Sequence, residues 1–242
     1  MRGDDVIYSL LKNFDHEHLI GREITIFRLT EESTESQPFA IISKKDGSMV
    51  NDIRIRFKSG KDAVIMSAPN SSGISVGSSP TLNSIISFNN NWILTEISSD
   101  TIYKLLPDFS MIPFLVRTPS IQSMNPEIFL NPDIFTDRFY FMRAIKKESG
   151  WPRAKLVYDR QDNTIFEYYL YNNDYVTEKV VNISLLGMMN NVNNEVAYWQ
   201  KIETYQLVDA YKKGELKGKL KEIAANLGEE DNPVIMLIKH KK

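Results

Sequence analysis

The sequence predicts an all-β fold built of four-stranded antiparallel blades, a partial β-propeller of about three to four blades ending in a helix and a final strand. Two observations predict it. Short runs rich in β-branched and aromatic residues are separated along most of the chain by Asn, Asp, Gly, Ser and Pro, the punctuation of an all-β protein. These runs group in fours over a repeat of roughly 40 to 60 residues, which suits blades better than a sandwich, whose strands need not group in fours.

The elements follow in order. Residues 1–80 hold irregular first blades, with strands expected at Glu23–Leu29, Phe39–Ser43, Ile53–Phe57 and Ala63–Ser67 and turns at Lys45-Asp46-Gly47 and Ser59-Gly60-Lys61-Asp62. Residues 81–119 form the clearest blade, a meander of Ser84–Phe88, Trp92–Ile97, Thr101–Leu105 and Met111–Val116. A second blade occupies 120–188, with strands around Glu127–Leu130, Arg138–Ile145, Ala154–Tyr158, Thr164–Tyr171 and Lys179–Ile183. Residues 189–242 supply the last strands and a helix over 203–227. There Leu207, Val208 and Tyr211, then Leu216, Leu220, Ile223 and Leu227, recur at helical spacing. Gly214 is expected to break that helix and Gly228 to cap it in the left-handed conformation, before Asn232-Pro233 restarts a strand over Val234–Ile238. The whole is expected to be a single partial propeller domain.

Composition limits the chemistry. The 242 residues are 42% hydrophobic, enough for a sizeable core. With 29 basic against 31 acidic side chains, the overall field steers toward neither nucleic acid nor an anionic membrane. No nucleic-acid partner is expected. No run reaches the roughly 20 apolar residues that span a bilayer, and the charged start Met1-Arg2-Gly3-Asp4-Asp5 does not read as a signal peptide. The absence of cysteine removes disulfides, thiolate zinc sites and cysteine nucleophiles together.

Candidate motifs are few. Asp15-His16-Glu17-His18 is the one local metal-like cluster, because on a strand the two histidines share a face. A zinc site takes about 3 to 4 protein ligands and the remaining histidine, His240, lies in a basic tail, so a polar loop is the better reading. No metal and no cofactor are expected. No Gly-x-Ser-x-Gly elbow occurs, and the histidines are too few for a Ser/His/acid set, so no catalytic residue is assigned. The stretch Ser71–Ser79 lacks the Gly-Lys-Ser/Thr ending of a phosphate loop and reads as an inter-strand loop. Glu127 with Asp133 or Asp137 offers paired carboxylates, but nothing in the sequence fixes their separation. Lys212, Lys213, Lys217, Lys219 and Lys221, interrupted by Glu215 and Glu222, read as a solvated helix face. The aromatic runs Phe139-Tyr140-Phe141 and Phe166–Tyr171 alternate on strands, so about half of them are expected in the core. Loops between successive blades gather at one mouth of a propeller. The loop Arg117–Asn125 is such a connection, and its Arg117, Gln122 and Asn125 are the candidate ligand-binding residues, a charge and two amides suited to a polar ligand.

Several segments resemble the TolB-like six-bladed β-propeller proteins of Gram-negative gut anaerobes. They are Phe114–Leu130 (FLVRTPSIQSMNPEIFL), Thr136–Met142 (TDRFYFM), Leu156–Phe166 (LVYDRQDNTIF), Leu216–Ala225 (LKGKLKEIAA) and Glu230–Ile238 (EDNPVIMLI). The likeness lies mainly in residues 82–242. It implies a periplasmic or outer-membrane-anchored lipoprotein, and a longer product with a lipoprotein signal and six complete blades. The N-terminal blades and signal are then expected to be missing here, and open blade edges to favour self-association. The function implied is non-enzymatic binding or scaffolding, with an unknown protein, a polar small molecule or a glycan as ligand. The alternatives are a carbohydrate lyase or hydrolase with a site in the propeller channel, and a protein–protein assembly module.

Overall fold

The computed structural model describes residues 24–28, 35–89, 91–181 and 196–239. In chain order the strands are β1 (Ile24–Arg28), β2 (Ser36–Ser43), β3 (Met49–Arg56), β4 (Ile65–Met66), β5 (Gly77–Ser78), β6 (Ile85–Phe88), β7 (Asn91–Leu94), β8 (Thr101–Leu105) and β9 (Met111–Val116). They continue as β10 (Ile128–Phe135), β11 (Phe139–Lys146), β12 (Arg153–Asp159), β13 (Thr164–Glu167), β14 (Leu170–Asn172), β15 (Lys179–Val181), β16 (Val196–Ile202) and β17 (Val234–Lys239). Helices α1 (Thr204–Lys212) and α2 (Gly218–Ala224) lie between β16 and β17. The chain is all-β in class, and the described residues form open antiparallel sheets whose neighbours are consecutive strands or, for β16 and β17, strands flanking the helices. No helix among them is long and apolar enough to cross a membrane.

Two compact units emerge. The first comprises the described residues up to Asp62 with Ser84–Met124; the second comprises Ala63–Asn83 and Asn125 onward. In the first, β1-β2-β3 and β6-β7-β8-β9 are separate sheets that share one core. Ile53 and Ile55 alternate inward along β3 while Asp52, Arg54 and Arg56 face out, the period of a half-buried strand. β2 is buried on both sides, Phe39 through Ile42 all being inaccessible, as its central place in the sheet requires. Ile24, Ile26, Phe39 and Ile41 meet Trp92, Leu94 and Leu105 of the four-stranded sheet. Each fully buried side chain of this kind contributes about 1.5 to 3 kcal/mol.

The second unit is organised around β10-β11-β12-β13. Strand β10 departs from the expected end at Leu130. It continues through Asn131-Pro132-Asp133 to Phe135, with a bulge between Pro132 and Ile134. The three residues read as a turn in isolation, but their polar groups find partners inside the protein, so the strand goes on. The turn Gly150-Trp151 places both residues at positive φ, 80° and 51°. Trp151 is nevertheless buried, tilted against Phe129, and its indole donates to Ser78 Oγ at 3.2 Å, tying the β4–β5 hairpin to this sheet. Part of the stretch expected to be only a loop, Gly77–Ser78, is therefore β5.

The expected strand Thr164–Tyr171 is two strands, β13 and β14, in different sheets, because Tyr168 turns inward and is buried between them. The expected helix over 203–227 is interrupted where Gly214 stands at φ 73°, leaving α1 and α2 packed through Leu207, Ala210, Leu216, Leu220 and Ala224. Gly228 is not the left-handed cap. Its φ is ordinary and its N–H donates to Asp231 Oδ2 at 2.7 Å, while α2 ends at Ala225 in a right-handed conformation. The lysine-rich face is solvated, with Lys213 bound to Asp209 at i,i+4 and Lys219 to Glu222.

Candidate functional site

Three constellations hold polar side chains away from plain solvent. The first is the loop after β9. Asp100 organises it: its carboxylate accepts from the Ser120 hydroxyl and, at 2.7 Å, from the Ile121 N–H. Arg117 N–H donates to the Asp100 carbonyl at 2.9 Å. The Arg117 guanidinium folds back onto its own loop, donating to the Pro119 carbonyl and lying 3.0 Å from Met124 Sδ. Burial presses its pKa down and the nearby Asp100 charge opposes that shift. Gln122 donates through one amide nitrogen to the carbonyls of Ser59 and Ser98, 2.9 Å each. Ser98 also receives the Lys61 N–H and donates to Glu96, whose other oxygen pairs with Arg28 at 2.9 Å. Arg117 and Gln122 thus brace three loops of the first unit. Asn125 is exposed and belongs to the second unit.

The second constellation lies within β10 and β11. Arg143 and Asp133, each only 3% exposed, form a side-on pair: Nε reaches both carboxylate oxygens at 2.9 Å and the terminal nitrogen reaches Oδ1 at 2.7 Å. Asn131 donates to Asp133 and accepts the Asn83 N–H at 2.7 Å, and the Asn83 amide donates to the Pro132 carbonyl at 2.8 Å. Burial pushes the Asp133 carboxyl up, and Arg143 and Asn131 pull against that shift. The Tyr168 hydroxyl is buried with no hydrogen-bond partner among the described residues. Its phenol is pushed far up by burial first and by the Asp133 charge second. Asp133 is held in place by Arg143 and Asn131 inside the sheet, away from solvent. Glu127 faces Lys147 at 3.9 Å, and the exposed Asp137 gives its carbonyl to Arg160. Glu127 and Asp133 thus each face a cation, and Asp137 is exposed.

The third is a cleft of about 370 Å³ in the second unit, walled by Leu170–Asp174 on one side, Val234–Leu237 on another and Lys219, Leu220 and Ile223 on a third. A strand shows alternate residues on its faces and consecutive ones at its edge, so β14 and β17 present edges to this cleft. Among the described residues both have a single hydrogen-bonded neighbour, β15 and β16 respectively. The floor is apolar, since Leu170, Val181 and Met236 also pack around Tyr168 and Ile134. The rim is polar. Asn172 is spent locally, accepting the Asp174 N–H and touching Met236 Sδ. The half-buried Asp174 carboxylate has no hydrogen-bond or ion-pair partner among the described residues, nor have the side chains of Asn173 and Tyr171. The chain makes room for that carboxylate: a Cβ at Gly218, where φ is 56°, would stand 2.6 Å from Asp174 Oδ1.

Of the sequence candidates, Arg117 and Gln122 lie in one unit, where Arg117 bonds within its own loop and Gln122 ties that loop to the turns at Ser59 and Ser98. The cleft was missed. Its one sequence signal is the run Asn172-Asn173-Asp174, which reads as an ordinary turn. Asp15-His16-Glu17-His18 and His240 lie outside the described residues. Among the described residues no group of three or more His, Cys, Asp or Glu is placed to hold a metal.

No family model matches the chain, and no curated protein is detectably similar to it. Among solved structures, it is similar to the crystal structure of a Bacteroides fragilis protein whose export is itself inferred. The TM-score is 0.39 at 12% identity, over 89% of this chain and 77% of that one. A likeness at that score carries no argument about fold or function.

Proposed function

We propose that the chain is a non-enzymatic binding or scaffolding module of β-propeller type, working in the cell envelope and holding a polar ligand in the cleft between β14, β17 and α2. Two four-stranded sheets in plain consecutive order, β6–β9 and β10–β13, support the blade reading. The envelope location is supported by the TolB-like resemblance alone. The observation that carries the binding role is the cleft itself, where an apolar floor meets a half-buried carboxylate and an exposed amide that have no partners among the described residues. Concave sites of this mixed lining are the usual seats of small ligands.

The test is to fill the cleft. A binding module shows a ligand-dependent rise in Tm during a screen of small polar compounds, and the Ile223→Trp variant, at a partly exposed wall position, loses that rise while keeping its own fold by circular dichroism. A screen in which wild type and Ile223→Trp respond alike sinks the reading. Edge association belongs to the same proposal. All four residues of β13 are exposed, with Ile165 61% and Phe166 47% accessible, and a bare edge of this kind templates strand pairing. The chain alone is expected to self-associate in size-exclusion chromatography with light scattering, and a monodisperse monomer counts against it.

A further inference from the structure

Resting on the binding role proposed above, the geometry points to a pyranose sugar ring as the ligand of the cleft. A pyranose is amphipathic in a particular way: one face carries C–H groups and its edge carries vicinal hydroxyls that both donate and accept. The cleft has the same division. Leu220, Ile223 and Met236 offer an apolar surface, and Tyr171, 43% exposed, adds an aromatic ring at the margin. On the same wall as Tyr171, Asp174 offers two acceptor oxygens and Asn173 an amide with both donor and acceptor sites, none of them engaged among the described residues. Lys219 binds Glu222 at 3.1 Å and keeps further donors free, since an ammonium has three.

The placement of Asp174 is the strongest element. The Asp174 carboxylate is half-buried and unpartnered among the described residues, and Gly218, bare of a side chain and held at φ 56°, leaves the space it occupies. That arrangement makes sense if hydroxyl donors from a ligand complete its hydrogen bonding. A volume of about 370 Å³ lies at the small end of the roughly 300 to 1,000 Å³ range of ligand sites, enough to enclose a single ring.

The experiment titrates the whole chain with the methyl glycosides of glucose, galactose, mannose and N-acetylglucosamine, and separately with hexylamine, using saturation-transfer-difference NMR. At least one glycoside is expected to bind in the millimolar range, with transfer strongest at its ring C–H protons. Asp174→Asn, which keeps shape and removes the charge, is expected to weaken it about tenfold. Gly218→Ala does the same by displacing the carboxylate, and Asp159→Asn leaves the affinity unchanged. Absence of glycoside binding, or equal affinity in wild type and Asp174→Asn, overturns the sugar assignment. If hexylamine alone binds and depends on Asp174, the sugar assignment falls while the cleft remains a binding site; if neither probe binds and the compound screen is also empty, both fall.

Discussion

The four-stranded sheets β6–β9 and β10–β13 have the same strand order and opposite interiors. The first, with β1–β3, closes over hydrocarbon: Phe39, Ile41, Ile55, Leu94 and Leu105 are fully buried, its buried Glu96 pairs with Arg28 in the turn after β7, and among the described residues Trp92 Nε1 is left there without a partner. The second buries an ion pair and Asn131 within β10 and β11, with Asn83 and the Tyr168 hydroxyl buried in its core as well. One topology therefore tolerates two ways of holding strands together. An apolar interior is forgiving about which contacts form, whereas a buried Asp133–Arg143 pair holds only if every partner is present. The difference predicts where each unit is fragile.

The largest effect is expected from Arg143→Ala, which strands the Asp133 carboxylate in the sheet and costs about 3 to 5 kcal/mol in denaturant unfolding. Replacing both partners together, Asp133→Leu with Arg143→Met, is expected to cost far less than the single change. Equal losses would mean that the pair itself, rather than the orphaned charge, carries the stability. In the apolar unit, Leu94→Ala is expected to cost about 2 to 5 kcal/mol, with no partner substitution able to restore it.

Smaller and of opposite sign is Tyr168→Phe. Its hydroxyl is buried and unpartnered, so removing it is expected to leave stability unchanged or raise it by up to about 1 kcal/mol. A clear loss would reveal a hydrogen bond that the hydroxyl makes in solution. The smallest effect concerns acid. Arg138 Nε and its terminal nitrogen grip Asp159 at 2.7 to 3.0 Å and hold its carboxyl below the usual carboxylate range. That pair stabilises the fold above the unfolded pKa of about 3.9, and the contribution is lost as pH falls through the lower folded value. Asp133 has the reverse sign. Its carboxyl is raised, so its proton-linked contribution is full below about 3.9 and is lost as pH rises through the folded value. Asp159→Asn should therefore flatten the acid limb of the stability profile below about pH 4, read by thermal melts across buffers.

The apolar unit was the more legible from sequence. Alternation in β3 and the runs at Phe39–Ser43 and Thr101–Leu105 announce strands because the local pattern and the burial agree. Legibility failed where long-range partners overrode local preference. Asn131-Pro132-Asp133 reads as a turn until Asn83 and Arg143, far away in sequence, supply its hydrogen bonds. Tyr168 breaks an apparently continuous strand because the core needs its ring. Gly228 reads as a left-handed cap, but the positive φ that follows a helix end is that of Gly214, after α1, while α2 closes at Ala225 in a right-handed conformation. The candidate site followed the same logic. Arg117 and Gln122 stood out as polar residues in a loop, but their hydrogen bonds go to carbonyls no pattern could reveal. Asp174 looked like a turn residue, and its meaning depends on a glycine in a different element.

The orphaned indole of Trp92 gives these units separate optical signatures. It sits 7% exposed in an apolar cluster of the first unit, and Trp151 sits 6% exposed beside Phe129 in the second. The chain has three tryptophans, so a Trp199→Phe background leaves one buried fluorophore in each half. Trp92, with no donor bond to a polar neighbour, should emit at the blue end, and Trp151, bonded to Ser78, further to the red. Two colours would then follow two interiors through a single melt.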